Sequence, residues 1–173
     1  MDFTVRSAQQ SDLAELQTLA ARTFPDAAPD YIPCSAIEEF IATYLSLTAF
    51  EGYLASSHYL LNVLEKEGEL IGYTLIDISC SHNPPQVPDA AYLSKFYLAA
   101  GTRGSGAARV MMDALIAQVQ ELGFNSVWLG TAKENLASNA FYNKVGFQII
   151  GERRFPVGTN AFGEDWILAI SLG

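Results

Sequence analysis

Cysteine and histidine are scarce in this chain. Cys34, Cys80, His58 and His82 are all it has. No CxxC pair occurs and the four residues keep no metal-ligand spacing, so neither a disulfide framework nor a metal site is expected. A reduced, cytoplasmic setting is the simplest expectation. Basic residues are few as well: 10 Lys and Arg stand against 19 Asp and Glu, a formal net charge of −9. That excludes the basic stripe of a nucleic-acid binder and mildly favours a cationic partner. Apolar runs stop short of the ~18 residues that span a bilayer, so no membrane partner is expected. The opening "MDFTVRSAQQ" has no basic n-region and no apolar h-region, and is not read as a signal peptide. No internal repeat or low-complexity tract is visible.

Half of the 173 residues are hydrophobic and 17% are charged. This is globular composition, and the length suits one domain over residues 1–173. "FTVRSA" reads as a first strand. Ser11 or Asp12 then caps a helix with apolar positions Leu13, Leu16, Leu19 and Ala20. "FPDAAPDYIPCS" reads as a Pro-rich break, and a second helix is expected from about Ala36 to Leu47. "YLLNVLEKEGELIGYTLIDIS" is a hairpin turning near Gly68, and "CSHNPPQVPDA" a surface loop whose prolines forbid a ladder. "AYLSKFYL" follows as a fourth strand, "NSVWLGTA" as a fifth, and "QIIGERRF" and "DWILAISL" as the last two. A strand–helix–strand crossover between the fourth and fifth implies a parallel pair inside an otherwise antiparallel sheet.

The most informative stretch is "GTRGSGAARVMMDALIAQVQELG", residues 101–123. Ala108, Met111, Met112, Leu115, Val119 and Leu122 recur at helical spacing, and Gly123 sits where a C-terminal cap glycine belongs. The helix therefore starts near Gly104 to Ala107, a few residues after the fourth strand. A strand that delivers a glycine-rich turn onto a helix N-terminus makes an anion site, because free N–H groups and the helix dipole point outward there. The turn lacks the Gly-Lys-Ser/Thr of a P-loop. It also comes too late in the chain for a dinucleotide fingerprint.

Two motifs in order then carry a resemblance. Arg103-Gly104-Ser105-Gly106-Ala107-Ala108 is similar to the Arg/Gln-x-x-Gly-x-Gly/Ala pyrophosphate loop of the GNAT superfamily of acyl-CoA N-acyltransferases. Asn135, Ser138, Phe141, Tyr142, Gly146 and Phe147 match the pattern that follows it in that family, and "LSKFYLAAGT" resembles its central strand and bulge. More narrowly, the segment "VWLGTAKENLASNAFYNKVGF" resembles bacterial polyamine (spermidine/spermine) N-acetyltransferases.

The resemblance implies an α/β fold of the α+β mixed-sheet kind. About seven mostly antiparallel strands would carry a central parallel pair splayed around coenzyme A, with about four flanking helices. It implies acetyl-CoA as co-substrate, no metal, a small-molecule amine as acceptor, and a homodimer as a common assembly. The pyrophosphate would lie on the N–H groups from Gly104 to Ala108, with Arg103 adding charge. The pantetheine would pair with the backbone of Phe96, Tyr97 and Leu98, near Asn135 and Ser138. Tyr142 takes the position of the acid that protonates the leaving thiol. Where many relatives have a glutamate early in the fourth strand, this chain has Tyr92. Asp77 is the candidate base in its place, with Asp165, Glu38 and Glu39 as further carboxylates. Glu38, Glu39, Tyr92 and Asp165 are the candidates to hold the acceptor. A polyamine-like cation is the expected acceptor. A peptide N-terminus or lysine, or a non-catalytic acyl-CoA-binding role, are the other readings.

Overall fold

A computed structural model describes residues 2–173. Strand β1 (Phe3–Ser7) leads through a short 3-10 turn into helix α1 (Leu13–Ala27), followed by α2 (Cys34–Tyr44) and α3 (Leu47–Ala55). Strands β2 (Tyr59–Lys66), β3 (Glu69–Asp77) and β4 (Ala91–Leu98) come next, then α4 (Ala107–Glu121) and β5 (Ser126–Ala132). Helix α5 (Leu136–Val145) and strands β6 (Gln148–Val157) and β7 (Ala161–Ser171) complete the described chain. All seven strands form one sheet in the order β1-β2-β3-β4-β5-β7-β6. Among the described residues no helix is long and apolar enough to cross a membrane, and no cluster of three or more His, Cys, Asp or Glu could hold a metal ion.

The β2–β3 hairpin forms because Glu67 and Gly68 both take positive φ, +53° and +82°. That is the turn geometry whose twist suits two antiparallel strands. Helix α4 ends at the expected place, with Gly123 at φ +92°. Its buried face is Ala107, Met111, Met112, Leu115 and Val119. Leu122 is exposed instead, since it lies past the last turn, and Ala108 turns toward the cavity described below.

Two local expectations are corrected. Helix α1 runs through Pro25 to Ala27, so the break covers only residues 28–33. Phe24 is buried and stacks on Phe40 of α2 at 4.2 Å, and that packing holds the last turn despite the missing Pro25 N–H. Among the described residues there are five α-helices, and the one not read from the sequence is α3. The second ends at Tyr44, and a third starts at Leu47, where the Ser46 hydroxyl accepts from Ala49 N at 3.1 Å. Both the break and the added helix belong to the layer over one sheet face, where α1, α2 and α3 cover Leu61, Val63, Tyr73 and Leu75. Helices α4 and α5 cover the other face, over Ile76, Leu93, Val127 and Leu129.

Lys95 of β4 points into the first layer. It is 8% exposed and, among the described residues, makes no salt bridge or side-chain hydrogen bond. Its ammonium lies 5.9 Å from the Phe40 ring and 5.5 Å from the Tyr53 ring. Cation–π attraction offsets only part of its desolvation, and burial lowers its pKa from 10.5 to about 8. The folded state therefore binds fewer protons than the unfolded chain between about pH 8 and 10.5, and stability rises with pH across that window. Lys95→Met keeps the chain length and removes the charge. The variant should be more stable at pH 7 by on the order of 1–3 kcal/mol. Its urea midpoint should also lose the rise above pH 8. A variant less stable than wild type would mean that the ammonium contributes net stability in its aromatic surroundings.

Candidate active site

Among the described residues strands β4 and β5 are the only parallel neighbours in the sheet, and they pair at just two positions, Ala91 with Val127 and Tyr92 with Trp128. Beyond that point the two strands run on to Leu98 and Ala132 without a ladder between them. Ser94 is looped out of the β3–β4 register, where Lys95 pairs with Leu75 and Leu93 with Ile76. This bulge sits at the root of the split and sharpens the bend of β4. Two strand edges with unpaired backbone groups therefore face each other across a wedge. Buried backbone polar groups need partners, so the wedge favours an extended, amide-bearing ligand.

A cavity of about 1260 Å³ fills the wedge. One wall is the edge of β4, including Phe96, Tyr97 and Leu98. The turn after β4 closes one end, with Arg103, Gly104, Gly106 and Ala108 in the lining. Gly104 and Gly106 have φ of +78° and +86°, a region open to glycine and strained for other residues. A Cβ added at either would meet no protein atom within 4 Å, so the loop's surface is open on the cavity side. The N–H groups of Gly104, Gly106, Ala108 and Arg109 have no backbone partner among the described residues. Ser105 and Ala107 shape the turn rather than line it. The Ser105 N–H donates to Thr102 O at 3.1 Å, its hydroxyl donates to the same carbonyl, and it accepts from Ala107 N at 3.3 Å.

The opposite wall is α5. Asn135 caps that helix by accepting from Ser138 N at 3.1 Å, and both residues line the cavity. Tyr142 lines it too. Its ring is held edge-on by Phe96, Phe141 and Phe147 at 5.6–6.1 Å. Its hydroxyl makes no hydrogen bond among the described residues, and burial holds the phenol well above its ordinary pKa. The group therefore keeps its proton at any working pH.

The far end is built on β6 and β7. Asp165 is buried and lines the cavity. Arg153 Nε donates to its Oδ2 at 3.2 Å. Desolvation raises the Asp165 pKa, and the charge and hydrogen bond of Arg153 partly oppose the rise. The second carboxylate oxygen makes no hydrogen bond among the described residues. Thr23 and Phe24 of α1 and Phe155 and Val157 of β6 complete this end.

The other expected acceptor and base residues lie elsewhere. Asp77 does not line the cavity. Its Oδ1 accepts from Ser79 N at 2.8 Å and from the Ser79 hydroxyl at 2.6 Å, closing the turn after β3. Glu39 is turned onto the β6–β7 loop, where it accepts from Thr159 N and Oγ1 at 3.2 Å. Glu38 is exposed on α2, outside the lining. Tyr92 lies behind the cavity wall, stacked on Trp128 at 4.0 Å and accepting from Arg153 Nη1 at 3.2 Å. Only Asp165 of these five reaches the cavity. Arg153 and Gly130, which also line it, carried no sequence signal beyond their type.

Comparison with known proteins agrees with this architecture. Residues 14–147 match the Acetyltransferase (GNAT) family. An uncharacterized N-acetyltransferase of Mycobacterium tuberculosis is 33% identical over 150 residues, 87% of this chain and 92% of that one. The spermine/spermidine N(1)-acetyltransferase of Bacillus subtilis is 27% identical over 100 residues, 57% of this chain and 66% of that one. The PaiA N-acetyltransferase of Thermoplasma acidophilum, solved in complex with coenzyme A, superposes with a TM-score of 0.81 at 18% identity over 99% of each chain. A family match over most of the chain, a relative at 33% identity and a fold shared with a solved N-acetyltransferase converge: this chain belongs to the GNAT acetyltransferase family and is an acyl-CoA-dependent N-acetyltransferase with acetyl-CoA as co-substrate.

Proposed function

We propose that the chain moves an acetyl group from acetyl-CoA directly onto the primary amine of a small molecule, with Tyr142 as proton donor and Asp165 as the carboxylate that receives the amine. One observation carries the reading: the glycine turn, the open strand edge, Tyr142 and Asp165 all line the same cavity. The turn fits a pyrophosphate, since its unpaired N–H groups and two left-handed glycines leave room for close approach. The free edge of β4 fits an extended pantetheine arm. When bound, acetyl-CoA supplies an activated thioester, whose C–S bond breaks as the acceptor nitrogen bonds the acetyl carbon and whose electron pair leaves on sulfur. Tyr142 holds the proton that the departing sulfur needs. Asp165 orients the ammonium form of the acceptor and takes its proton, directly or through water.

The polyamine form of the acceptor draws support from the Bacillus subtilis relative and from the net charge of −9. A polycation is held best by several carboxylates acting together. Glu38, Glu39 and Asp77 lie outside the cavity, and Arg153 stands beside Asp165 within it. The geometry therefore supports a small amine more strongly than a polycation.

Thiol release from acetyl-CoA across a panel of amines tests the reading. Asp165→Asn should lower kcat/KM by about a hundredfold, the usual range for a lost proton acceptor, with little change in coenzyme A affinity. The carboxylate must be ionised to act, so wild-type activity falls as pH drops through its pKa. Burial raises that pKa, and the acid limb should start at a higher pH than for an exposed aspartate. The variant should keep only the limb set by the acceptor amine. An unchanged rate and pH profile in the variant would remove Asp165 from the mechanism. Coenzyme A binding without thiol release from any amine would favour a non-catalytic module.

A further inference from the structure

Arg153 is a half-buried cation in the acceptor wall, and the transfer reading above gives it no role. Its environment is specific. The guanidinium lies 4.8 Å over the Phe155 ring and within 6 Å of the Tyr92 and Trp128 rings, which fixes its plane. It rests against Gly130 of β5, where any added Cβ would collide with the guanidinium. A glycine at that point is what leaves the seat open. Nε is engaged by Asp165 and one Nη1 proton by Tyr92. The remaining three of the five guanidinium protons have no partner among the described residues, although the group lines the cavity. A planar fork with free protons, anchored by rings and one carboxylate, is suited to binding a carboxylate.

Asp165 and Arg153 thus present opposite charges side by side, 3.2 Å apart, at the acceptor end of one cavity. Ligand charges that match such a pair must themselves be adjacent and of opposite sign. A polyamine has no negative group to offer Arg153, and its second ammonium would meet a like charge. A lysine side chain or peptide N-terminus has no free carboxylate near its amine. Resting on the transfer reading, we propose that the acceptor is a free α-amino acid, its ammonium on the open oxygen of Asp165 and its carboxylate on the free edge of the Arg153 guanidinium. The surrounding Phe24, Tyr97, Phe155 and Val157 favour an apolar or aromatic side chain.

The test measures thiol release from acetyl-CoA with the twenty amino acids, their amides, the corresponding decarboxylated amines, and spermidine. The free acid of at least one apolar amino acid should exceed its own amide and amine in kcat/KM by about ten- to a hundredfold, the range for losing charge-assisted hydrogen bonds. Arg153→Gln should abolish that preference, lowering kcat/KM for the acid, mainly through KM, by about ten- to a hundredfold more than for its amide or amine. Arg153→Lys should restore part of it. Gly130→Ala, which deletes no charged group, should push the guanidinium off its seat and produce the same loss of preference. Amides or amines that react as well as the acids, or a preference for spermidine, would overturn the inference and leave acetyl transfer intact. So would an Arg153→Gln variant slowed equally on every acceptor, because that is the signature of a residue that only positions Asp165. Turnover of no acceptor at all would overturn both readings.

Discussion

In a Gly106→Val variant, coenzyme A affinity should fall by about a hundredfold or more, the loss of one or two charge-assisted hydrogen bonds, while the fold persists. Gly106 is the N-terminal cap of α4 and sits at φ +86°. Valine disfavours that conformation, and the strain costs about 1–3 kcal/mol. It collides with nothing in the protein, because an added Cβ finds no neighbour within 4 Å. The valine methyls would instead stand on the cavity side of the loop, over the unpaired N–H groups of residues 104–109. Relief of strain by turning the Gly106 peptide would redirect its own N–H, which also weakens the anion site. Gly106→Ala should lie between valine and wild type. Calorimetric titration with coenzyme A checks the affinity, and circular dichroism checks the fold. A folded variant with undiminished affinity would move the pyrophosphate off this loop. The effect should be confined to coenzyme A, since Asp165 and Arg153 stand at the other end of the cavity.

That loop was legible in the sequence because its constraints are local. Glycine spacing, the start of a helical stripe and the end of a strand lie within about ten residues, and backbone geometry does the rest. The parallel pairing of the fourth and fifth strands followed from the same kind of evidence, a strand–helix–strand unit among hairpins, whereas its splaying around coenzyme A came only from the family resemblance. The acceptor end was not legible, because its members are chosen by tertiary register. Asp77 and Asp165 are both acids near a strand end. One is used up by Ser79 in its own turn, and the other is carried into the cavity by the pairing of β7 with β6. "GERRF" contains two arginines that sequence cannot rank. The alternation of β6 points Arg153 over Gly130, with its side chain 23% exposed, and leaves Arg154 67% exposed beside Glu164. The β6 bulge between Ile149 and Gly151 sets which arginine that is. Glu39 is a substrate candidate in the sequence only as an available carboxylate, and in the fold it serves the β6–β7 loop by accepting from Thr159. Helix α3 escaped notice because "LTAFEGYLA" is mostly apolar and shows little helical periodicity, its clearest mark being the Ser46 cap.

Tyr142→Phe should lower kcat by about a hundredfold, the range for a lost general acid, and leave acetyl-CoA affinity nearly unchanged. Phenylalanine keeps the edge contacts with Phe96, Phe141 and Phe147 and deletes only the hydroxyl. That hydroxyl has no hydrogen bond among the described residues, so its removal orphans no partner there. The melting temperature should hold or rise, because one buried polar group is gone. A core residue predicts the same stability result, and the kinetics separate the two roles. A wild-type turnover rate in the variant, with chemistry shown to limit it, would make Tyr142 a packing residue. The pH profile gives a second, independent reading. The phenol acts only while protonated, so its loss of a proton would produce an alkaline fall in kcat. Burial, and then the nearby Tyr97, push the pKa of Tyr142 well above 10. Wild-type kcat should therefore show no alkaline fall from this group at or below the ordinary tyrosine pKa. Activity lost through a group titrating near pH 9 would point to a different acid, and the Tyr142→Phe profile would then keep that same limb.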